Sequence, residues 1–327
     1  MKYLLNNEID KNIFYALECG LPITDRPFAT IGLNLGLSES KVLERYNYFL
    51  NQNIVRRFGG IFDHVRFGYT TTLCAVKVDI NDIDKIKKYI DSISEITHCY
   101  IRSHAINLWF TFSAHKHDFK NKLNKIKAFF SPNEILCLTA LNRYKISVIF
   151  DIGSTNELIK QQRQILNFNG EIEYLSEIEK QLVKKMWTVP AISKPFEFIS
   201  QELDLDSNDA LNILRKWKKA GVLKRIALVP FHYKLGYNGN IMCVWKVPTE
   251  RINLIGRELS KLSEVTHCYE RECYSEFDYN LFAMIHGNNY EETLINFQSI
   301  SNRLSLTNGL PLLSTKEIKK TSLKLFQ

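Results

Sequence analysis

Apolar residues recur at helical spacing in three short stretches near the start of the chain, and the same plan returns halfway along it. Asp10 to Leu17 forms the first stretch. Pro27-Phe28-Ala29-Thr30-Ile31-Gly32 opens a second helix with proline in its first turn, and Leu37-Ser38-Glu39-Ser40 caps a third that runs to about Gln52. In the second half Ser176 to Trp187 and Pro195 to Leu203 repeat the first two. Asp206-Ser207-Asn208-Asp209 caps a third that runs through Ala220 and ends at Gly221. Both triplets carry helix-turn-helix signals.

After each triplet the period changes from helical to alternating. The first half reads as strand over Thr70 to Val78, helix over Asp82 to Ile93, strands over Thr97 to Arg102 and Ile106 to Ser113, helix over His117 to Phe130, and a final strand region over Glu134 to Val148. The second half matches it with Asn240 to Val247, Glu250 to Leu262, Val265 to Arg271, Tyr279 to His286, Tyr290 to Leu304 and Leu312 to Lys319. A β-α-β-β-α-β order predicts a ferredoxin-like sandwich, so the fold class is α+β.

The repeat extends to chemistry. Thr97-His98-Cys99-Tyr100-Ile101-Arg102 returns as Thr266-His267-Cys268-Tyr269-Glu270-Arg271, and His64-x-x-x-Gly68-Tyr69 returns at nearly the same shift as His232-x-x-x-Gly236-Tyr237. The chain is therefore a tandem duplication. The recurring residues are His, Arg and Tyr rather than the apolar residues a core would repeat. Such side chains donate protons, bind carboxylates and ligate iron.

Composition narrows the class. The 327 residues hold two or more domains, and 45% hydrophobic content is ample for ordinary cores. No apolar leader precedes the first helix, and no stretch stays apolar and uncharged long enough to span a bilayer, which predicts a cytoplasmic protein with no membrane partner. Seven cysteines without a C-x-x-C pair argue against a disulfide framework and a zinc ribbon, leaving inert core thiols and no metal site of the protein's own. The formal charge of +8 suits nucleic acid or a polyanionic small molecule.

The head-and-body plan resembles the Lrp/AsnC family of regulators, and its motifs point to one branch, the siroheme decarboxylases. Ile54-Val55-Arg56-Arg57-Phe58-Gly59, His98-Cys99-Tyr100-x-Arg102-x-His104, Asn107-Leu108-Trp109-Phe110-Thr111 and Arg143-Tyr144-Lys145-Ile146 are similar to one subunit type. Val222-Leu223-Lys224-Arg225, His232-x-x-x-Gly236-Tyr237, Cys243-Val244-Trp245-Lys246-Val247-Pro248, Tyr279-Asn280-Leu281-Phe282-x-Met284-x-His286-Gly287 and Ser314-Thr315-Lys316-Glu317 are similar to the partner type. Two departures stand out. Arg225-Ile226-Ala227 replaces the partner type's usual Arg-Phe-Gly, and His267 stands where a leucine is frequent.

The resemblance implies a tandem repeat of a winged helix-turn-helix head and an AsnC-type ferredoxin-like body, folded as an internal pseudo-dimer. The boundaries are heads at 1–56 and 172–224, bodies at 57–152 and 225–327, and a linker at 153–171. The implied activity is a lyase reaction of haem d1 or alternative haem biosynthesis, in which siroheme loses carbon dioxide from two acetates to give didecarboxysiroheme. No added cofactor is implied. The implied partners are the iron tetrapyrrole substrate and product. Further homo-oligomerisation and contacts with neighbouring haem-pathway enzymes are compatible with this reading.

Siroheme's carboxylates call for cations around an apolar slot, and the candidates are Arg57, Arg102, Lys224, Arg225, Arg271 and Lys316, with Tyr69 beside them. The methylene left after carbon dioxide departs needs a proton donor. His232, His267, His64, His98 and His104 are the catalytic candidates with Tyr237 as a secondary donor, and one imidazole could instead ligate the substrate iron. A strand histidine beside Cys and Tyr also reads as a structural residue, and Tyr69 and Tyr237 also read as packing residues. Two other functions stay open, a DNA-binding regulator and a siroheme or haem carrier. Against DNA stand the acidic starts of the third helix in each head, Ser38-Glu39-Ser40-Lys41 and Asp206-Ser207-Asn208-Asp209, although Arg45, Lys216, Lys218 and Lys219 are basic.

Overall fold

In the computed structural model the elements follow one plan twice. The first half runs α1 (Glu8–Cys19), α2 (Pro27–Leu35), α3 (Glu39–Asn51), β1 (Val55–Phe62), β2 (Tyr69–Val76), α4 (Ile83–Asp91), β3 (Ile96–Arg102), β4 (Leu108–His115), α5 (Phe119–Phe130) and β5 (Leu136–Ile146). The second runs α6 (Glu177–Lys185), α7 (Pro195–Gln201), α8 (Ser207–Lys219), β6 (Leu223–Pro230), β7 (Gly239–Trp245), α9 (Thr249–Lys261), β8 (Val265–Arg271), β9 (Leu281–Gly287), α10 (Tyr290–Arg303) and β10 (Gly309–Lys320). The described residues are 5, 7–146, 175–236 and 238–326, without the side chain of His232; the linker expected at 153–171 and Tyr237 lie outside them.

The chain divides into two compact units that each draw on both halves. One comprises Met1–Gly68, Ile149–Gly236 and Lys324–Gln327, and the other Tyr69–Val148 and Tyr237–Leu323. Among the described residues no helix is long and apolar enough to cross a membrane.

The first unit holds the two helical heads. Asn7 and Ser38 cap α1 and α3 through their side chains, Ser176 and Glu179 form a reciprocal capping box at α6, and Asp206 accepts from the Asn208 and Asp209 amides at α8. Phe14, Phe28, Tyr46, Phe49 and Phe58 interlock beneath α1 to α3. Asp10 is buried at 3% exposure and is held by Arg45 through two bonds of 2.6 and 2.8 Å.

The period reading gave no strand at β1 or β6, yet these pair antiparallel with Phe58 opposite Leu228 and Gly59 opposite Ala227. Two arginines and two glycines interrupt the alternation of Val55–Phe62, and the partner strand lies in the other half, so no local signal marks them. Each strand also receives the first-helix end of the opposite head. The Leu21 amide donates to Ile226 O at 2.6 Å, and the Gly60 amide donates to Met186 O at 2.7 Å. A Cβ on Gly59 would sit 2.3 Å from Trp187 O, so only glycine admits this approach.

The second unit is a closed barrel of eight strands in the order β10-β3-β4-β2-β5-β8-β9-β7. Both ferredoxin-like bodies are present, and their last strands are shared. β5 pairs with β2 over Leu136 to Thr139 and then with β8 over Ala140 to Ile146. β10 pairs with β7 over Gly309 to Leu313 and then with β3 over Ser314 to Lys320. The bodies thus form an internal pseudo-dimer within this unit.

Helices α4 and α5 cover one outer face of the barrel, and α9 and α10 cover the other, each over its own apolar cluster. A third cluster contains no helix residue. It gathers Ala75, Trp109, Leu136, Leu138, Met242, Val244, Phe282 and Leu312 on the inner strand faces with Phe277 from the β8–β9 connection. Lys319 turns its ammonium onto the end of α4 and donates to Ile90 O at 2.9 Å and Ile93 O at 2.7 Å.

Candidate functional site

Strand alternation sets the site. Cys99 and Ile101 of β3 face the helix-side core, so His98, Tyr100 and Arg102 share the inner face. Cys268 of β8 likewise faces its helices, which puts His267, Tyr269 and Arg271 in a matching inner row. Each row reads His-x-Tyr-x-Arg. The guanidiniums lie against the tyrosine rings, Arg102 at 5.4 Å from the Tyr100 centroid and Arg271 at 4.6 Å from Tyr269.

Each arginine reaches the last strand of the other half. Arg102 Nη1 donates to Leu312 O at 2.9 Å and Ser314 Oγ at 3.1 Å, while Arg271 Nη1 donates to Leu138 O at 2.8 Å. The Nε–H groups of both are buried and have no hydrogen-bond partner. Among the described residues no carboxylate pairs with either guanidinium, and burial pushes both down to about 10. They remain cationic at neutral pH, each with a free donor and no counter-ion beside an apolar lining. Such a pair is an electrostatically unfinished site, and a carboxylate ligand completes it.

The histidines of the rows are held from behind. His98 Nδ1 lies 3.0 Å from Thr97 Oγ, and His267 Nδ1 lies 3.0 Å from Thr266 Oγ. Thr266 Oγ also meets His286 Nε2 at 2.9 Å. His104 sits in the β3–β4 connection, where Nδ1 accepts from the Ile106 amide at 3.0 Å and the ring packs edge-on to Phe277. That acceptance makes Nε2 the protonated nitrogen of a neutral ring.

The other candidates are distributed differently. Tyr69 opens β2 and packs edge-on to His115, and Lys316 is exposed on β10 opposite Ile101. His64, Arg57, Lys224 and Arg225 belong to the first unit. His64 starts a short 3-10 helix, and His232 starts its counterpart. Arg57 Nη1 donates to Gly60 O and Trp187 O, both at 3.1 Å, with the guanidinium over the Trp187 ring, and its buried Nε–H has no hydrogen-bond partner, as in Arg102 and Arg271. Lys224 lies 3.6 Å from Asp63, and Arg225 is lowered by burial with Glu18 opposing the shift.

Sequence reasoning named neither Tyr100, Tyr269, Thr97 and Thr266 nor His286 as site residues. The first four lie inside the repeated hexapeptide, which was a usable signal; the link from His286 to Thr266 crosses two strands and left none. Cys137 departs from the expected inert thiols. It stands opposite Cys74 in the β2–β5 ladder, and a hydrogen bond from the Cys74 thiol lowers it to about 7 while Cys74 is driven up by burial.

Of the basic residues in and near the third helices, Lys216 and Lys219 are exposed and others are committed to protein acceptors. Arg45 is committed to Asp10, Arg26 pairs with Glu39, Arg215 donates to Ile23 O at 3.2 Å, and Lys218 donates to Lys224 O.

Fold and site together define a class: a duplicated ligand-binding body with helix-turn-helix heads, whose barrel carries paired cations on an apolar, aromatic inner face. Comparison with known proteins narrows it. Residues 66–145 and 234–319 match the AsnC-like ligand binding domain, and residues 10–56 match the siroheme decarboxylase NirDL-like HTH domain. The chain is 31% identical to the siroheme decarboxylase of Hydrogenobacter thermophilus over 98% of its own length and 96% of that protein. It is 41% identical to the siroheme decarboxylase NirH subunit of Pseudomonas aeruginosa over 42% of its length and 83% of that subunit. The crystal structure of the siroheme decarboxylase NirDL superposes with a TM-score of 0.76 at 27% identity, covering 98% of this chain and 95% of that one. A second NirDL structure, in co-complex with an iron-uroporphyrin III analogue, gives 0.75. The chain belongs to the siroheme decarboxylase family.

Proposed function

We propose that this chain is a carboxy-lyase that removes carbon dioxide from two acetate side chains of siroheme to give didecarboxysiroheme. The observation that carries the reading is the pair of buried guanidiniums on the barrel's inner face, Arg102 and Arg271, each with an unpartnered Nε–H and, among the described residues, no carboxylate opposite. A tetrapyrrole with many carboxylates supplies the missing counter-charges, and the aromatic lining of Trp109, Phe277 and Phe282 suits its macrocycle.

In the proposed reaction the bond between an acetate methylene and its carboxylate carbon breaks. Carbon dioxide leaves, and the electron pair stays on the methylene carbon, in conjugation with the macrocycle. Protonation of that carbon gives the methyl group, so each event consumes one proton and no electrons. His98 and His267, on the same faces as the arginines, are the proposed donors. The substrate's own ring is the electron sink, so no added cofactor is needed. The arginines hold carboxylates that are kept, because neutralising the one to be lost would stabilise the ground state and slow its departure. His232, His64, His104 and Tyr237 stay candidate donors or iron ligands, and Tyr69, Lys224, Arg225 and Lys316 stay candidate contacts.

DNA is not proposed as a partner, since Arg45, Arg215 and Lys218 are committed to protein acceptors and the third helices carry Glu39 and Asp209 in their first turns. A reducing compartment suits the seven free thiols, and the cytoplasm is the proposed location. The test is anaerobic incubation of the protein with siroheme and mass analysis of the tetrapyrrole. Loss of two carbon dioxide units is expected. Intact siroheme that is nevertheless bound, by its absorbance, would make the protein a carrier and refute the reading.

A further inference from the structure

The register of β2 against β5 sets two cysteines directly opposite each other, Cys74 and Cys137, between the pairs Leu73–Leu138 and Ala75–Leu136. Opposed residues of an antiparallel pair are of two kinds, and the backbone shows which kind this is. The Cys137 amide donates to Tyr274 Oη at 3.2 Å, and that hydroxyl donates to Cys137 O at 3.1 Å. Thr139 O also faces away from β2, accepting from the Glu272 amide at 3.0 Å. Both backbone groups of Cys137 are thus turned from β2. The two cysteines form a non-hydrogen-bonded pair, the closer kind, whose Cα atoms stand about 4.5 Å apart. A disulfide needs Cα atoms roughly 4.4 to 6.8 Å apart and side chains that point the same way. Both side chains lie on the helix-covered face, Cys74 within the apolar cluster of α4 and α5 and Cys137 packed against it. We propose that Cys74 and Cys137 are a redox modification site, a dithiol that a peroxide converts to an intramolecular disulfide.

The two thiols differ in the way such a site requires. Cys137 is half-buried and Cys74 is buried. The hydrogen bond between the thiols holds Cys137 below the ordinary range, while burial pushes Cys74 above it. Cys137 is the reachable nucleophile, and Cys74 is the resolving thiol behind it. The Cys137 thiolate attacks one oxygen of the peroxide, the O–O bond breaks, and hydroxide leaves, which gives a sulfenic acid. The Cys74 sulfur then attacks that sulfur, the S–O bond breaks, and the departing hydroxide takes the Cys74 proton. With hydrogen peroxide the two thiols give up two electrons and two protons, and two waters form.

The second half supplies the comparison. Leu138 and Leu312 each accept from a row arginine, so β5 and β10 correspond at these residues, and Cys243 stands where Cys74 does. The residue opposite Cys243 is Pro311. Burial pushes Cys243 up as it does Cys74, but its cross-strand partner carries no sulfur. The duplication therefore repeats the core thiol and adds the second one in the first half alone. Packing does not call for it, since an apolar residue fills the same place in the second half. The pair also adjoins the second row, because Leu138, whose carbonyl takes Arg271 Nη1 at 2.8 Å, follows Cys137 directly. In a reducing compartment such a disulfide is transient, as suits a sensing site.

The test needs no turnover. The full chain, free of siroheme, is treated with hydrogen peroxide at neutral pH, then unfolded, alkylated, digested without reductant and mapped by mass spectrometry. A linked peptide pair joining Cys74 to Cys137 is expected, lighter by two hydrogen atoms than the reduced peptides. Both positions should lose alkylation together and regain it after dithiothreitol, while Cys243 stays a thiol. Cys74→Ala should stop the reaction at a Cys137 sulfenic acid that dimedone captures, and Cys137→Ala should leave Cys74 reduced at the same dose. The wild-type map decides the matter even if a variant folds poorly. Cys74 and Cys137 that both stay alkylatable at a dose that oxidises the exposed Cys273 overturn the inference. Cys137 driven to a sulfinic acid, or linked to any other cysteine while Cys74 stays a thiol, overturns it as well.

Discussion

Replacing Arg102 by methionine separates a residue kept for the fold from one kept for a ligand. Arg102 is 6% exposed, and burial lowers it well below the ordinary guanidinium value, to about 10. At about 1.4 kcal/mol per unit, this corresponds to a cost of roughly 3 kcal/mol for keeping the guanidinium charged in the folded protein. Against that stand its bonds to Leu312 O and Ser314 Oγ, worth roughly 1–2 kcal/mol each. The two sides nearly cancel. Methionine removes both, and it fills the space with an unbranched apolar chain.

The unliganded Arg102→Met protein should therefore unfold within about 1.5 kcal/mol of the wild type, in either direction, in a denaturant titration. Siroheme binding should fall much further. Truncating one side of a buried charged hydrogen-bonded pair costs about 2–4 kcal/mol, or roughly 30- to 1000-fold in Kd by absorbance titration. Unchanged affinity would refute the role in carboxylate recognition. A loss of more than about 4 kcal/mol in the unliganded protein would refute the balance just drawn, and Arg102 would then be a structural residue.

Three further outcomes follow from the geometry. Cys137 should be alkylated by iodoacetamide with a pH midpoint near 7, because the Cys74 thiol stabilises its thiolate, and Cys74→Ala should move the midpoint up; since the folded value lies below the ordinary 9.0, that stabilisation is present above pH 9 and is lost as pH falls through about 7. Gly256→Ala should cost about 1–3 kcal/mol in a denaturant titration, because the new Cβ would lie 2.4 Å from the Tyr144 ring, whose hydroxyl donates to Asn253 Oδ1 at 2.9 Å. Asp10→Ala should cost about 3 kcal/mol by the same measurement, since it strips Arg45 of both its bonds to a buried carboxylate.

The two heads, the two bodies and both His-x-Tyr-x-Arg rows were legible in the chain because they depend on local period and on a repeated hexapeptide. Caps at Ser38, Ser176 and Asp206 set helix starts that the sequence already marks. What could not be read depends on contacts between halves. The β1–β6 pair and the passage of β5 and β10 into the opposite sheet join residues far apart in sequence, where no alternation identifies the partner. Recurrence also failed to distinguish kinds of arginine. Arg57 recurs as Arg225 just as Arg102 recurs as Arg271, and Arg57 has the same buried Nε–H without a hydrogen-bond partner as the two row arginines. What differs is the acceptors of Nη1, which for Arg57 are Gly60 O and Trp187 O in the first unit and for the row arginines are Leu312 O, Ser314 Oγ and Leu138 O on the last strands of the barrel. A repeat shows that a residue is retained, and only its partners show for what.

The shared strands explain why both halves keep their rows. Arg102 is oriented by Leu312 and Ser314, and Arg271 by Leu138, so each guanidinium takes its hydrogen-bond acceptors from the other body. A single body would expose the free edges of β3 and β8 and leave each arginine without the carbonyl that aims it. Having both bodies in one chain supplies the two partners in fixed proportion, and it also lets the rows diverge. His286 could enter the second row without entering the first, which two copies of one gene product in a symmetric dimer could not achieve. Loss of Thr266 should accordingly impair one row and spare the other, whereas loss of Leu312 or Leu138 packing should disturb the arginine of the opposite half.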